Sequence, residues 1–303
     1  MKRGKILVIR GGAIGDFILT LPAISALRSQ FSGAHLELLG YPHIAQLALA
    51  GGLVDRVQPI EAHGLAGFFA RNGRLDEDLM DYFSEFDLIL SYLYDPDDIF
   101  QENILRCAHG QFIAGPHRPD ETEPVHATKV YLKPLERLAI FDSDEVPRLS
   151  LNSQPSTLNQ IALHPGSGSE RKNWPEPHWA ALLRQLVAET NLNLLLVGGE
   201  AEGERLARLA KPLPANRTQL ARSLPLTELA ARLSGCAAFV GHDSGITHLA
   251  AAVGLPCLAL WADTVEAIWK PQGQTVRLIK ENGGIRGLEP RRVMSELKAI
   301  LHL

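Results

Sequence analysis

The sequence predicts an α/β protein of two Rossmann-like, doubly wound domains facing one another across a cleft. Three observations carry this. Short apolar runs alternate with segments of helical spacing, small polar turns follow several of those runs, and the series begins afresh near residue 161. Residues 1–150 and 151–303 are the expected domains, with 142–160, which holds Pro147, Pro155 and several serines, as the linker. No short internal repeat opposes this division.

In the first half, Ile6–Ile9 reads as a buried parallel strand and Arg10–Asp16 as the turn after it. Phe17, Leu21, Ile24 and Leu27 then recur on one helical face, with Pro22 kinking that helix or defining its first turn. Leu36–Leu39, a short strand at Val57, Phe86–Leu90 and Phe112–Ala114 are the further strands, and Thr128–Ile140 is a helix. Residues 61–75, with Gly64, Gly67 and Gly73 around Phe68 and Phe69, read as a flexible insertion rather than a core element. In the second half, Ile161–Leu163, Leu192–Val197, Ala237–Val240 and Cys257–Leu260 are strands, and Thr275–Ile279 is an edge strand. Val293, Leu297, Ile300 and Leu301 mark a terminal helix, expected to pack back on the first domain.

Composition bounds the function classes. Hydrophobic residues at 46% and charged residues at 21% describe a soluble globular chain, and a net charge of -4 gives no reason to expect nucleic acid. The charge is unevenly spread: 14 basic against 21 acidic residues give -7 for 1–150, and 16 against 13 give +3 for 151–303, so the second half suits a nucleotide phosphate better. Cys107, Cys236 and Cys257 are too scattered for a disulfide framework or a metal knuckle, and a reducing, cytoplasmic setting is expected. No run reaches the roughly 20 apolar residues that span a bilayer. Peripheral membrane contact needs only a surface patch.

The most informative stretch is Phe239–Pro256. Its apolar run stops at Gly241 and short polar residues, after which Leu249, Ala250 and Val253 mark a helix. Asp243 and Ser244 can cap that helix, whose free amides, approached over Gly245, make an anion site; an ordinary capped helix is the alternative. His164–Pro175 lies at a second strand-to-helix junction. There Ser167, Gly168, Ser169 and Lys172 form a phosphate cradle without Walker spacing. Glu200 or Glu202 can accept ribose hydroxyls, or either can favour a helix start. Asp16, with Gly12 and Gly15 around it, is the acid/base candidate of the first half, or a helix cap. Gly11, Gly12 and Gly15 lack the dinucleotide fingerprint spacing, and Glu37 is the one acid near the expected ribose position. Asp95-Pro96-Asp97 resembles a metal carboxylate pair, but Asp97 and Asp98 can instead cap a helix over Ile99–Leu105, and the histidines are isolated. No metal site is expected.

Together these motifs resemble glycosyltransferase family 9, the ADP-heptose:lipopolysaccharide heptosyltransferases. The pieces are Ile14-Gly15-Asp16-Phe17 with Leu21-Pro22-Ala23, then His126–Leu132, His164–Pro175, and Gly241–Pro256 followed by Thr264 and Pro271, in family order over nearly the whole chain. The resemblance implies a GT-B architecture, with a glycan or glycolipid acceptor on the first domain and an ADP-sugar donor on the second. It implies inverting transfer without a metal or other cofactor, at the cytoplasmic face of the inner membrane. By position, Asp16 would be the base; Ser167, Ser169, Lys172 and the Ser244-Gly245 amides would hold the diphosphate; Asp243 and His248 would meet the donor sugar or order the turn. Arg71, Arg74, Arg106 and Arg118 would form a local patch for an anionic acceptor. One departure stands out: the family has Phe-Gly followed closely by Thr where this chain has Trp261-Ala262-Asp263-Thr264.

Overall fold

The structure, a computed structural model, describes residues 3–151, 159–200 and 202–302. The chain divides into two compact units, Met1–Val146 and Pro147–Leu303. The expected linker, 142–160, falls partly on 152–158, outside the described residues. Both units are doubly wound α/β domains, the GT-B class expected.

Unit 1 is built on β1 (Lys5–Arg10), β2 (His35–Gly40), β3 (Arg56–Pro59), β4 (Leu88–Ser91) and β5 (Gln111–Ala114). They form one parallel sheet in the order β3-β2-β1-β4-β5, with Val8 opposite Leu38 on one side and Leu90 on the other. Ile6–Ile9 is buried on both faces, which explains its unbroken apolar run. The order reverses between β1 and β4, so the turns after those two strands open beside each other at the carboxyl edge.

Unit 2 is built on β6 (Gln160–His164), β7 (Asn193–Gly198), β8 (Thr218–Arg222), β9 (Ala238–His242), β10 (Cys257–Leu260) and β11 (Val276–Ile279). Its parallel order is β11-β10-β9-β6-β7-β8, and the reversal lies between β6 and β9, where His164 pairs with Gly241. Trp174 and Trp179 fill the core beside Leu182, Leu186 and Val240.

The terminal helix Pro290–Leu301 places Val293, Met294, Leu297 and Ile300 in the core of unit 2, against the helix Glu176–Glu189. Three expectations change. β8 lies where no strand was read, because Thr218-Gln219-Leu220-Ala221-Arg222 is an edge strand with little apolar signal. The helix read over Thr128–Ile140 is α-helical only across Ala127–Leu132 and tightens to a 3-10 turn at Lys133–Leu138, where Pro134 offers no N–H.

Residues 61–75 are the third. His63–Phe69 forms a 3-10 helix, and Leu65, Phe68 and Leu75 are buried in the unit 1 core. Asn103, 3% exposed, clamps this segment by donating from Nδ2 to the carbonyls of Phe68 and Ala70, each at 3.0 Å. Periodicity could not reveal this, since the clamp comes from a helix more than 30 residues away. Asn103→Ala removes the side-chain donor of the buried Phe68 carbonyl, while the Ala70 carbonyl keeps the Gly73 N–H, and is expected to cost about 1–3 kcal/mol. Urea unfolding of the full chain checks it; an unchanged midpoint would show that the segment does not depend on the clamp.

Candidate active site

At the unit 2 switch point, two turns converge. The turn after β6 runs from Pro165 to the 3-10 segment Glu170–Lys172, with Gly168 at φ +74°, a conformation that favours glycine. The turn after β9 leads into the helix Gly245–Ala252, with Ser244 at its N-cap position. Ser244 does not cap through its side chain; its hydroxyl lies 3.3 Å from Thr247 Oγ1 and 3.4 Å from His164 Nδ1. Thr247 and His248 donate to the Ser244 carbonyl, while the Gly245 and Ile246 amides take no backbone acceptor among the described residues. Those two open N–H groups are the anion-binding feature of the turn.

Lys172 donates from Nζ to Asp243 Oδ2 at 2.6 Å, and the Thr264 hydroxyl donates to the same oxygen. The expected mobile cation is therefore already paired, with Asp243 buried and Lys172 partly exposed. An anion approaching the ammonium would compete with Asp243 for it. Ser167 is also committed: its hydroxyl lies 2.8 Å from the Ser169 carbonyl and 2.7 Å from Asn173 Oδ1. Glu202 accepts from the Gly199 N–H at 2.9 Å, whereas the exposed Glu200 carboxylate has no side-chain partner among the described residues. His248 is 5% exposed, which leaves Ser244–Ile246 as the open part of the turn.

His242, at the end of β9, ties the two turns together and was missed in the sequence. Its Nε2 accepts from the Trp174 N–H at 2.8 Å and its Nδ1 donates to the Gly166 carbonyl at 3.0 Å. One bond needs a bare nitrogen and the other a protonated one, so this is a single neutral tautomer. Burial pushes His242 down to about 4 and His164 down to about 3.

Unit 1 places Asp16 at the third position of the helix Ile14–Gln30, partly exposed, its Oδ2 accepting from the Ala13 N–H at 3.3 Å. Gly12, at φ +97°, sits over that carboxylate, and a Cβ there would stand 3.3 Å from Oδ2. Beneath lies Arg10, a second residue missed in the sequence. It is 3% exposed, and its guanidinium donates to the carbonyls of His117 at 2.9 Å, Tyr92 at 3.3 Å and Asp16 at 3.2 Å. Its carbon stands 4.6 Å from the Tyr131 ring centroid, a cation–π contact, and Nε has no partner. A buried cation held by carbonyls and aromatic faces fixes the turn that carries Asp16.

The four arginines of the expected patch have different surroundings. Arg71 and Arg106 line one cavity of about 450 Å³, while Arg118 is ion-paired with Glu121 in the segment after β5. Arg74 is exposed outside both. The expected caps of the helix Ile99–Leu105 also change: Asp95 accepts from the Phe100 and Gln101 amides at 3.0 and 2.9 Å, while Asp98 makes no cap bond. Glu37, buried in β2, is taken by Tyr82 and His35, so no ribose acid exists there.

Residues 115–289, more than half of the chain, match the family described as Glycosyltransferase family 9 (heptosyltransferase). The chain belongs to that family. It is 31% identical to Lipopolysaccharide heptosyltransferase 2 of Escherichia coli (strain K12) over 150 residues, which span 43% of this chain and 43% of that relative, under half of either. It is 26% identical to Lipopolysaccharide heptosyltransferase 1 of Pseudomonas aeruginosa over 290 residues, 86% of this chain and 79% of the relative. The solved structure of E. coli ADP-heptose lps heptosyltransferase II shares the fold at TM-score 0.79 and 19% identity, covering 98% of each chain.

Against the family 9 pattern, Trp261 has a structural explanation. The indole is buried and donates from Nε1 to the Thr264 carbonyl at 2.8 Å, closing the turn that aims the Thr264 hydroxyl at Asp243. The side chain is 1% exposed, so its bulk is not presented to solvent.

The neutral histidines set a pH dependence. Their folded values lie below the ordinary 6.5, so the stabilisation is complete above pH 6.5 and is lost as pH falls from 6.5 through about 4 for His242 and about 3 for His164. The slope reaches at most roughly 1.4 kcal/mol per pH unit for each group. His242→Ala is expected to lower stability at pH 8 and to flatten the decline between pH 6.5 and 4. Chemical denaturation across that range checks both, and an unchanged slope would mean that His242 is not the group titrating.

Proposed function

We propose that this chain is an inverting glycosyltransferase that moves heptose from an ADP-sugar to a lipopolysaccharide-type glycan or glycolipid, without a metal. Unit 2 takes the donor and unit 1 the acceptor. The observation that carries this reading is the convergence at the β6/β9 switch point of two open amides and Lys172, an ammonium that a diphosphate would take over from Asp243 without an added cation. Family membership and the names of its relatives support heptose and lipopolysaccharide.

In the proposed step, Asp16 accepts the proton of the acceptor hydroxyl as its oxygen attacks the anomeric carbon from the face opposite the diphosphate. The bond from that carbon to the phosphate oxygen breaks, its electron pair leaves with the diphosphate, and the configuration inverts. Lys172, the Gly245 and Ile246 amides, and the Ser167–Ser169 turn stabilise the leaving charge. Asp243, released from Lys172, and Thr264 meet the donor sugar, and His248 orders the helix behind them. Glu200 or Glu202 takes the ribose hydroxyls, with the Glu200 carboxylate the free one of the two. The enzyme works in the cytoplasm, in peripheral contact with the inner membrane where its acceptor lies.

Asp16→Asn keeps an oxygen for the Ala13 N–H but cannot take a proton. Single-turnover transfer at saturating donor and acceptor is expected to fall about 10²–10⁴-fold with unfolding and donor titration unchanged. Near-normal transfer would reject Asp16 as the base. ADP titrated into the protein in chelator and in excess magnesium is expected to give equal affinities, and a strict magnesium requirement would overturn metal independence.

A further inference from the structure

A cavity of about 200 Å³ opens beside the Asp16 turn, at the carboxyl ends of β4 and β5. Tyr94, Asp98, Gln101 and His117 are among its lining residues. It lies wholly within unit 1, lined by the segments that follow β4 and β5, and β4 flanks the β1/β4 reversal. The buried Arg10 guanidinium bonds both the His117 carbonyl and the Asp16 carbonyl, so one rigid group holds the cavity wall and the proposed base in fixed relation.

The lining has a particular chemistry. Tyr94 is 69% exposed, and its ring stands 4.6 Å from that of His117 at 60°, giving an aromatic corner. Burial, and then the charges of Arg10 and Arg118, hold the His117 imidazole below its ordinary value, so at neutral pH it offers one donor and one acceptor. Asp95 is spent on the helix amides, but the Asp98 carboxylate and the Gln101 side-chain amide have no side-chain partners among the described residues. No lysine or arginine lines the cavity. The volume lies below the roughly 300–1,000 Å³ of sites for drug-sized ligands and suits a single ring.

Such a lining recognises a polyol. An aromatic corner packs against the C–H face of a sugar ring, while a carboxylate and an amide bind neighbouring hydroxyls. A carboxylate or phosphate on that ring would meet Asp95 and Asp98 with no lysine or arginine among the lining residues; Arg10, behind His117, is held by three carbonyls, and Arg118 is ion-paired with Glu121. We propose that this cavity is the acceptor subsite of the transferase and that it takes an uncharged pyranose rather than an acidic sugar. The assignment rests on the reading of unit 1 as the acceptor side, and it accords with the -7 balance of residues 1–150.

The test uses the full chain and two matched pairs of probes: methyl α-D-glucopyranoside and methyl α-D-mannopyranoside against the uronic acids of the same configurations. Binding is read by saturation-transfer NMR titration at pH 7.5. At least one neutral glycoside is expected to bind, at least tenfold tighter than its uronide. Tyr94→Ala should weaken it tenfold or more, Tyr94→Phe should retain it, and Asp98→Asn should narrow the gap to the uronide. No binding by either neutral glycoside, equal or tighter binding of the uronide, or unchanged binding by Tyr94→Ala would overturn the subsite. ADP titrated into the same protein separates the two readings. ADP binding without selective glycoside binding sinks the subsite alone; selective, Tyr94-dependent glycoside binding without ADP binding sinks the donor reading and leaves the cavity assignment standing.

Discussion

The constraint on which the rest depends is the reversal of strand order in a parallel sheet. Parallel strands end on one edge, and where the order reverses, the two flanking turns splay to opposite faces and leave a crevice. In unit 1 the reversal lies between β1 and β4, so the Asp16 turn and the Tyr94 segment open together. In unit 2 it lies between β6 and β9, so the Ser167 turn and the Gly245 helix do the same. Short polar turns at those strand ends cannot be buried without losing hydrogen bonds, so the fold collects its chemically active groups there.

Each crevice is held by one buried side chain that bonds mainly to backbone. His242 bridges the Gly166 carbonyl and the Trp174 amide in unit 2, and Arg10 gathers the carbonyls of Asp16, Tyr92 and His117 in unit 1. Backbone partners fix loop geometry while leaving surface side chains free for a ligand. The Lys172–Asp243 pair is different, since it joins two groups that a bound donor would separate. Breaking it is affordable only if the diphosphate replaces the carboxylate as the partner of the ammonium and sugar hydroxyls satisfy Asp243.

Much of this was legible in the sequence because short-range signals carry it. The run Ile6–Ile9 followed by Gly11, Gly12 and Gly15, and the run at Phe239–Val240 followed by Gly241 and Ser244, locate two strand ends without any tertiary information. What the sequence hid depends on partners far along the chain. Arg10 reads only as the first residue of a turn, and its carbonyl and aromatic partners at His117 and Tyr131 lie more than 100 residues on. His242 reads as one isolated histidine among several until Trp174 and Gly166 bracket it. Trp261 reads as an intrusion beside the donor until its indole is found inside the fold, bonded to the Thr264 carbonyl. Asn103 and the segment it clamps follow the same rule.

The central claim is that the donor's diphosphate is held at the β6/β9 reversal of unit 2, not at the glycine-rich turn of unit 1. Amide hydrogen exchange of the full chain with and without ADP tests it most directly, because the two turns report separately. The account predicts slowed exchange at residues 166–172 and 245–247 on adding ADP, with residues 12–16 unchanged. Slowed exchange at 12–16 with none at 166–172 or 245–247 would contradict it.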